Sequence, residues 1–193
     1  MFYEIIFYGR GGQGGVTAAN ILVLAAMYQG LHAQGFPFFG AERRGAPVMS
    51  FARLSDKPIL KHGMFNEADV LIVQDHRLAE MGVLNKVRVR DNGYVVLNAP
   101  DNYEIDLSKY SLGRNVEIYQ VDATKIAIEN KLVVAGWPVV NTSMLGAFSK
   151  AINLISIDNI AKAVKNYFGG RIGEINAHAS IQAFEKTKLV HKV

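Results

Sequence analysis

Cysteine is absent from this chain of 193 residues. Its absence excludes disulfides, a thiol nucleophile and the ligands that iron–sulfur clusters and most structural zinc sites require. Any redox centre that works with this protein must therefore be held elsewhere. Histidine offers no substitute, because His178 has no second histidine at ligand spacing, and a metal site is not supported.

Long apolar runs are also missing, so the sequence predicts no membrane span. Glu4 interrupts the amino-terminal run, which lacks the pattern of a signal peptide, and we expect a cytoplasmic protein. The net charge of +4 is modest, and residues 186–192 are interpreted as a solvated lysine-rich tail, so nucleic-acid binding is not expected. Without linkers or repeats, residues 1–193 are predicted to form a single domain.

A glycine-rich segment at residues 8–16 lies between an apolar, strand-like run and a run with helical spacing. Within it, Gly9, Gly11 and Gly14 match the G-x-G-x-x-G spacing, which allows a tight turn and close approach of a ligand. The free N–H groups and the dipole of the following helix suit a phosphate. The alternative hypothesis is that these glycines only turn a strand into a helix.

A nicotinamide-binding fold needs an acidic residue about 20 residues after the glycine motif, where it binds the ribose hydroxyls. Residues 31–40 contain no aspartate or glutamate. The first acid, Glu42, is followed at once by Arg43 and Arg44. Two cations in this place favour a ligand that carries more phosphate.

The remaining sequence alternates between strand and helix patterns. Strands are predicted at residues 31–35, 47–54, 68–75, 94–98 and 115–122, with a turn at 91–93. Helices are predicted at residues 16–28, 76–84, 122–129, from 141 onward, 157–168 and 172–188.

The connection at residues 36–46 shows no helical period, whereas parallel neighbours in a sheet need a helical crossover. We therefore expect a hairpin-like return or a long functional loop there, and a sheet of mixed direction. The predicted fold class is α/β, a three-layer Rossmann-like sandwich with a mostly parallel, mixed sheet.

Two polar positions allow more than one interpretation. Asp75 and His76 follow a buried strand and could form an acid–base pair, but an acid in this place more often caps the next helix. Asn141 is either a simple N-cap or a capping residue that also faces the ligand crevice. We favour the cap for Asp75 and leave both alternatives open for Asn141.

Three segments together resemble a known family. They are Gly-Arg-Gly-Gly-Gln-Gly-Gly-Val-Thr-Ala at 9–18, Phe-Gly-Ala-Glu-Arg-Arg-Gly-Ala-Pro-Val at 39–48, and the segment 141–147. Their order and the chain length resemble the gamma subunit of pyruvate:ferredoxin oxidoreductase, also called pyruvate synthase. The glycine loop combined with the double-arginine loop is far more specific than either alone.

The resemblance implies a cytoplasmic complex that oxidatively decarboxylates pyruvate to acetyl-CoA and CO2 and reduces ferredoxin. Thiamine diphosphate, Mg2+ and [4Fe–4S] clusters are implied in alpha, beta and ferredoxin-like delta partner subunits. The gamma subunit is implied to bind and gate coenzyme A over the thiamine site, without catalytic residues of its own. Its implied ligand-binding residues are Gly9, Arg10, Gly11, Gly12, Gln13, Gly14, Arg43, Arg44 and Asn141.

Three other functions compete with this one. The chain could be a gamma subunit that serves another 2-oxoacid, such as 2-oxoglutarate, a branched-chain oxoacid or indolepyruvate. It could also be a free-standing Rossmann-type oxidoreductase, which the missing ribose-binding acid disfavours, or a regulatory nucleotide-binding module.

Overall fold

A computed structural model describes residues 1–37 and 44–193 of the chain. Strands and helices alternate along it, as the sequence pattern predicts. The strands are β1 (Phe2–Arg10), β2 (His32–Pro37), β3 (Pro47–Ser55), β4 (Glu67–Val73), β5 (Arg88–Asn98), β6 (Ser111–Leu112), β7 (Glu117–Val121), β8 (Val133–Val134), β9 (Trp137–Pro138) and β10 (Lys188–Lys192). The α-helices are α1 (Gly15–Tyr28), α2 (Ala123–Glu129), α3 (Asn141–Ile152), α4 (Ile157–Phe168) and α5 (Gly170–Lys186).

The described strands form one large sheet with the order β10-β7-β5-β4-β1-β3-β2, in which β6 also pairs with β5. The inner strands β7, β5, β4 and β1 run parallel. At the two sides, β3 and β10 pair antiparallel with β1 and β7, and β2 pairs antiparallel with β3 and so runs in the direction of the inner strands. β2 and β3 follow one another in the chain and pair antiparallel. The predicted α/β fold with a mostly parallel, mixed sheet is confirmed.

Alternate side chains of the inner strands build two separate cores. In β1, Ile5 and Phe7 point to the face that carries the helices, while Ile6 and Tyr8 point to the other face. Short 3-10 turns and loops cover this second face, through residues such as Leu78 and Leu84. The third layer of the sandwich is therefore built without α-helices in the described residues.

The helices on the first face are stacked two deep. Helices α1 and α3 contact the sheet, and α5 packs on the outside of α3 and α4. Gly146 of α3 makes this possible, because a Cβ at that position would collide with the backbone carbonyl of Ser180 on α5. The small residues at the start of α3 thus serve close packing between two helices.

Two local predictions between β4 and β7 are wrong. Residues 76–84 were expected to form a helix, but only His76–Leu78 forms a single 3-10 turn, and Gly82 then adopts a φ of 63° that ends helical geometry. The expected turn at residues 91–93 lies inside β5, where positions 90–93 bulge from the ladder with β4. Asn92 does take a left-handed φ of 60°, yet the strand continues because both flanks pair with β4.

The expected solvated tail is also wrong in part, since Lys188–Lys192 forms β10 along β7. Backbone hydrogen bonds between Val116 and Val193, 3.1 and 2.9 Å long, extend the pairing. The lysines remain exposed, as is usual on an edge strand. Apolar Leu189 and Val190 between them give the segment strand propensity.

A buried ion cluster closes the amino end of the parallel strands. The carboxylate of Glu4 contacts Arg53 at 3.0 Å, Lys61 at 3.0 Å and Arg90 at 2.6 Å. Burial alone raises the pKa of Glu4, but the hydrogen bonds from these three cations outweigh it and hold that pKa below its usual range. Arg53 also donates to the carbonyls of Lys61 and Gly63, so it fixes the loop that leads into β4.

Within the part of the chain that the structure describes, none of the helices combines the length and the apolar content needed to cross a bilayer.

Replacing Gly146 with alanine should lower the free energy of unfolding by about 1–3 kcal/mol, because the added methyl group forces α3 and α5 apart. Alanine is intrinsically the better helix former by about 1 kcal/mol, so a net loss reports the packing alone. Urea unfolding measures the difference in the free energy of unfolding between the variant and the parent. Glu185→Ala, at an exposed position of α5, is the control, and equal stability of the Gly146→Ala protein and the parent would contradict the close contact.

Candidate functional site

The carboxyl ends of the parallel strands meet at one edge of the sheet, which is where ligands bind in folds of this type. β1 ends in the glycine loop, β4 in Gln74 and Asp75, β5 in Asn98, and β7 in Asp122. Asn98 joins two of these strands, because its Nδ2 donates to the carbonyl of Gln74 at 2.8 Å. The sequence-predicted glycine loop therefore lies at the expected functional edge.

The glycine loop is a tight turn closed by its own residues. The N–H of Gln13 donates to the carbonyl of Arg10 at 3.0 Å, and the N–H of Arg10 donates to Oε1 of Gln13 at 2.8 Å. Gly12 and Gly14 have φ values of 95° and 79°, which favour glycine strongly over other residues. A Cβ on Gly9 would collide with Oε1 of the buried Gln74 side chain, which would have to move.

Helix α1 begins directly after this loop. Its N-cap residue is Gly14, no side chain caps its first turn, and that turn contains no acidic residue. The unpaired N–H groups and the positive end of the helix dipole are thus available at the loop, as the sequence predicts.

Asn141 connects a second helix to the same loop. A Cβ on Gly14 would lie 2.5 Å from Nδ2 of Asn141, so the two residues are in close contact. The expectation that Asn141 is the N-cap of α3 is wrong, since Val140 takes that position and Asn141 is the first helical residue. Its Oδ1 accepts from the N–H of Thr142 at 2.8 Å, which satisfies one donor of the first turn.

Arg10 is held by protein groups instead of facing open solvent. Its Nε donates to Oδ2 of Asp75 at 2.7 Å, and its Nη1 donates to the carbonyl of Gly45 at 3.1 Å. Gly45 also donates its N–H to the carbonyl of Gly11 at 3.1 Å. Arg10 therefore joins β1, β4 and the segment after the arginine pair.

Asp75 is the acid of this arrangement. Its carboxylate forms ion pairs with the guanidinium groups of Arg10 and Arg77, and its Oδ1 also accepts a hydrogen bond from the backbone N–H of Arg77 at 3.0 Å. Burial raises the pKa of Asp75, but the hydrogen bonds from Arg77 and Arg10 outweigh burial and leave that pKa below its usual range. A carboxylate that stays ionised between two arginines is a structural anchor, which agrees with the capping interpretation over an acid–base role with His76.

Of the predicted arginine pair, Arg43 lies outside the described residues. Arg44 lies beside Gly11 through a backbone bridge, but its Nη2 donates to the carbonyls of Val134 and Ala135 at 3.5 and 3.2 Å. These carbonyls form the tip of the hairpin of β8 and β9. The structure thus brings the backbone of Arg44 to the glycine loop and its guanidinium to the hairpin.

Sequence reasoning missed this hairpin. Its tip residues Ala135 and Gly136 have φ values of 48° and 81°, and Trp137 lies against Gly45. The sequence signal for it is the pair Ala-Gly between the apolar pairs Val133–Val134 and Trp137–Pro138. Two-residue hairpin turns often place both of their central residues at positive φ.

Two cavities flank the glycine loop. A polar cleft of about 510 Å³ is lined by Gln13, by residues after β4, β5 and β7, and by Trp137. An apolar cavity of about 500 Å³ is lined by Gly12, Gly14, Asn141 and residues of the hairpin, α4 and α5. Both volumes lie in the range of roughly 300–1,000 Å³ typical of ligand sites. The hairpin contributes a wall to each.

Comparison with known proteins assigns the chain. The sequence model of the family described as pyruvate ferredoxin/flavodoxin oxidoreductase matches residues 4–186. The chain belongs to this family. The Pyrococcus furiosus protein named pyruvate/ketoisovalerate oxidoreductases common subunit gamma is 44% identical over 186 residues, which cover 96% of this chain and 97% of the relative.

Solved structures agree with this membership. The pyruvate oxidoreductase subunit PORC of Thermotoga maritima is 29% identical, has a TM-score of 0.81, and is matched over 98% of this chain and 99% of its own. The 2-oxoglutarate:ferredoxin oxidoreductase of Magnetococcus marinus shares the fold, with 22% identity and a TM-score of 0.72 over 94% of this chain and 30% of that one. The chain is a gamma subunit of a pyruvate/ketoisovalerate-type oxidoreductase complex, and the resemblance seen in the sequence is confirmed.

The described residues contain no group of three or more histidine, aspartate or glutamate side chains arranged to hold a metal ion. His178, at an exposed position on α5, is a surface residue in the structure. Of the nine residues predicted for the site, the structure brings Gly12, Gly14 and Asn141 together around one cavity, while Arg10 and Gln13 hold the loop.

Asp75→Asn should lower the free energy of unfolding at neutral pH by about 2 kcal/mol, because two charge-assisted hydrogen bonds weaken in a buried place. The folded-state pKa of Asp75 lies below the ordinary value, so its contribution is complete above that ordinary value and disappears as the pH falls through the folded pKa. The difference between parent and variant in urea unfolding should therefore shrink in acid. Asp106→Asn, an exposed acid that caps a similar 3-10 turn, should change little, and a difference that is independent of pH would contradict the role given to Asp75.

Proposed function

We propose that this chain binds and gates coenzyme A in a cytoplasmic complex that oxidatively decarboxylates pyruvate to acetyl-CoA and CO2 and reduces ferredoxin. Thiamine diphosphate, Mg2+ and [4Fe–4S] clusters belong in this proposal to the alpha, beta and delta partner subunits. Because this chain has no cysteine, it cannot ligate such a cluster through thiolates. Its own contribution is to hold and orient the ligand.

The observation that carries the proposal is the meeting of two helix N-termini at the glycine loop. Helix α1 begins after Gly14, α3 begins at Asn141, and neither has a side-chain cap from its N-cap residue or an acidic residue in its first turn. Coenzyme A carries a diphosphate and a further phosphate, and helix N-termini bind such anions through N–H groups and the dipole. Residues Gly12, Gly14 and Asn141 are the proposed cradle.

The names of two relatives support the choice of ligand. The Pyrococcus protein is a subunit common to a pyruvate and a ketoisovalerate oxidoreductase, and the Magnetococcus structure contains coenzyme A and succinyl-CoA. A subunit that serves two oxoacids is best suited to a ligand that both reactions share. Coenzyme A meets this condition, whereas the oxoacid does not.

Gating in this proposal falls to the hairpin of β8 and β9. The hairpin lies outside the main sheet and forms walls of both cavities. Its tip is held by Arg44 through two exposed hydrogen bonds of 3.2 and 3.5 Å, which cost little to break. A phosphate that attracts Arg44 would release the tip and change the width of both cavities.

The purified chain alone should not oxidise pyruvate with any electron acceptor, because it supplies neither thiolates for a cluster nor a Gly-Asp-Gly thiamine motif. Reduction of a viologen dye measures this, with the reconstituted complex as the positive control. Turnover by the isolated chain would overturn the accessory role.

Gly12→Ala and Gly30→Ala form a matched pair that tests the cradle. Both glycines have positive φ, 95° and 81°, and a Cβ at either position meets no atom within 4 Å, so both variants should lose about 1 kcal/mol of stability through strain alone. Only Gly12 lines the proposed site, where a methyl group would block the approach of a phosphate. In the reconstituted complex, Gly12→Ala should raise the KM for coenzyme A about tenfold and leave that for pyruvate unchanged, while Gly30→Ala should alter neither.

Gly14 is unsuited to this test, since its substitution also disturbs Asn141. Equal KM values for coenzyme A in the parent and the Gly12→Ala complex would remove the glycine loop from the site.

A further inference from the structure

Two polar side chains end the apolar columns with which β3 and β4 face the helices. In β3, Ala52 belongs to the core on the helix face, and Ser50 comes two positions before it on the same face. In β4, Ile72 belongs to this core, and Gln74 follows two positions later. Ser50 is 2% exposed and Gln74 is 1% exposed, so both strand patterns would favour an apolar residue at these places.

The two side chains lie close together beneath the glycine loop, beside the first residue of α1. A Cβ on Gly15 would lie 3.1 Å from Oε1 of Gln74 and 3.1 Å from Oγ of Ser50. A Cβ on Gly9 would collide with the same Oε1. The amide of Gln74 therefore occupies the space that these two glycines leave open, between the end of β1 and the start of α1.

The polar atoms of this pair have no hydrogen-bond partner among the described residues. They are Oε1 and Nε2 of Gln74 and Oγ of Ser50, and all three are shielded from solvent. Exchanging the oxygen and nitrogen of the amide does not change this, because both atoms lack a partner. Buried polar groups without partners are costly, and apolar side chains of similar shape would serve the fold equally well or better. The pair therefore calls for an explanation other than stability.

The backbone of Gln74 connects the glycine loop to two strands. Its N–H donates to the carbonyl of Tyr8 in β1 at 2.8 Å. Its carbonyl accepts from Nδ2 of Asn98 at 2.8 Å and from Nε2 of Gln13 at 3.5 Å. Since Gln13 belongs to the loop and Asn98 ends β5, a shift of Gln74 acts directly on the glycine loop.

We propose that Gln74 is a positioning residue for the glycine loop and that Ser50 acts with it. In the arrangement that binds coenzyme A, the amide of Gln74 bonds to Oγ of Ser50 across Gly15 and so holds the loop and the first turn of α1. The amide and the hydroxyl each offer a donor and an acceptor for this bond. The inference rests on the proposed function and adds two residues that act through the loop without touching the ligand.

Three variants remove or block this contact. Gln74→Met and Ser50→Ala delete the polar atoms with little change of shape, and because these atoms have no partner in the described fold, both variants should keep or raise the thermal midpoint. Gly15→Ala would place a methyl group between the two side chains, at a residue whose φ is not positive and so permits alanine.

Tyr110→Phe is the matched control. The hydroxyl of Tyr110 is also buried without a partner among the described residues, but it belongs to the core on the opposite face of the sheet. Its removal should affect stability in the same direction as that of the Gln74 amide, and it should leave the glycine loop in place.

Steady-state kinetics of the reconstituted complex separate coenzyme A from pyruvate. Gln74→Met should raise the KM for coenzyme A about tenfold and leave that for pyruvate unchanged, because a misplaced loop weakens only the ligand that it holds. Ser50→Ala and Gly15→Ala should raise the same KM. The double variant of Gln74→Met and Ser50→Ala should be no worse than Gln74→Met, since the two side chains act as one unit. Tyr110→Phe should change neither KM.

An unchanged KM for coenzyme A in Gln74→Met would overturn this inference while the proposed function stands. A lower thermal midpoint with a rise of both KM values would also overturn it, because the amide would then serve the fold alone. Additive effects of Gln74→Met and Ser50→Ala, or an equal rise in Tyr110→Phe, would contradict the pairing. A parent complex whose pyruvate oxidation does not depend on coenzyme A would instead overturn the proposed function, and the inference with it.

Discussion

The ion pair between Arg10 and Asp75 fixes the functional edge of this molecule. With a distance of 2.7 Å and a nearly buried carboxylate, it joins the end of β1 to the end of β4. The same guanidinium donates to the carbonyl of Gly45, which ties the segment after the arginine pair to the glycine loop. Since α1 starts from that loop and Asn141 of α3 contacts Gly14, the positions of two helices also depend on it.

A second ion cluster stands at the opposite end of the same strands, where Glu4 meets Arg53, Lys61 and Arg90. Buried ion pairs contribute little net stability, but loss of one partner leaves an uncompensated charge and is costly. Such pairs therefore fix geometry more than they add stability. In this sheet they fix both ends of β1, between which the strand is uniformly apolar and gives little information on register.

Sequence patterns predict those elements whose structure depends on neighbouring residues in the chain. The spacing of Gly9, Gly11 and Gly14 predicts a strand, a turn and a helix. The lack of a helical period before β3 predicts that β3 pairs antiparallel. The direction of the Arg10 side chain was not predictable, because its partner Asp75 is 65 positions away and nothing local selects it. The same holds for the capping of the hairpin by Arg44, whose acceptors are 90 and 91 positions away.

The wrong predictions also have local causes. Residues 76–84 carry apolar side chains that could follow a helix, but Gly82 takes a φ of 63° and the chain forms only short 3-10 turns, at His76–Leu78 and Leu84–Lys86. The lysines of residues 186–192 indicate a solvated tail, although Leu189 and Val190 between them give residues 188–192 enough strand propensity to pair with β7. In the first segment the apolar side chains favour a helix but Gly82 determines the structure, and in the second the lysines favour a tail but Leu189 and Val190 determine it.

The distribution of helix caps links stability to the proposed site. Asp122 and Ser156 cap α2 and α4 through their side-chain oxygens, as is usual at helix N-termini. A cap at α1, α3 or α5 would stabilise the fold, typically by about 1 kcal/mol each, but its oxygen would occupy the donors that face the apolar cavity. Glycine at the N-caps of α1 and α5 and valine at that of α3 provide no such oxygen, although in α3 Oδ1 of Asn141 accepts from the N–H of Thr142. The uncapped helix ends therefore make this edge less stable, and a bound anion would stabilise it. We expect ligand binding and stability to be coupled at this edge more than anywhere else in the described chain.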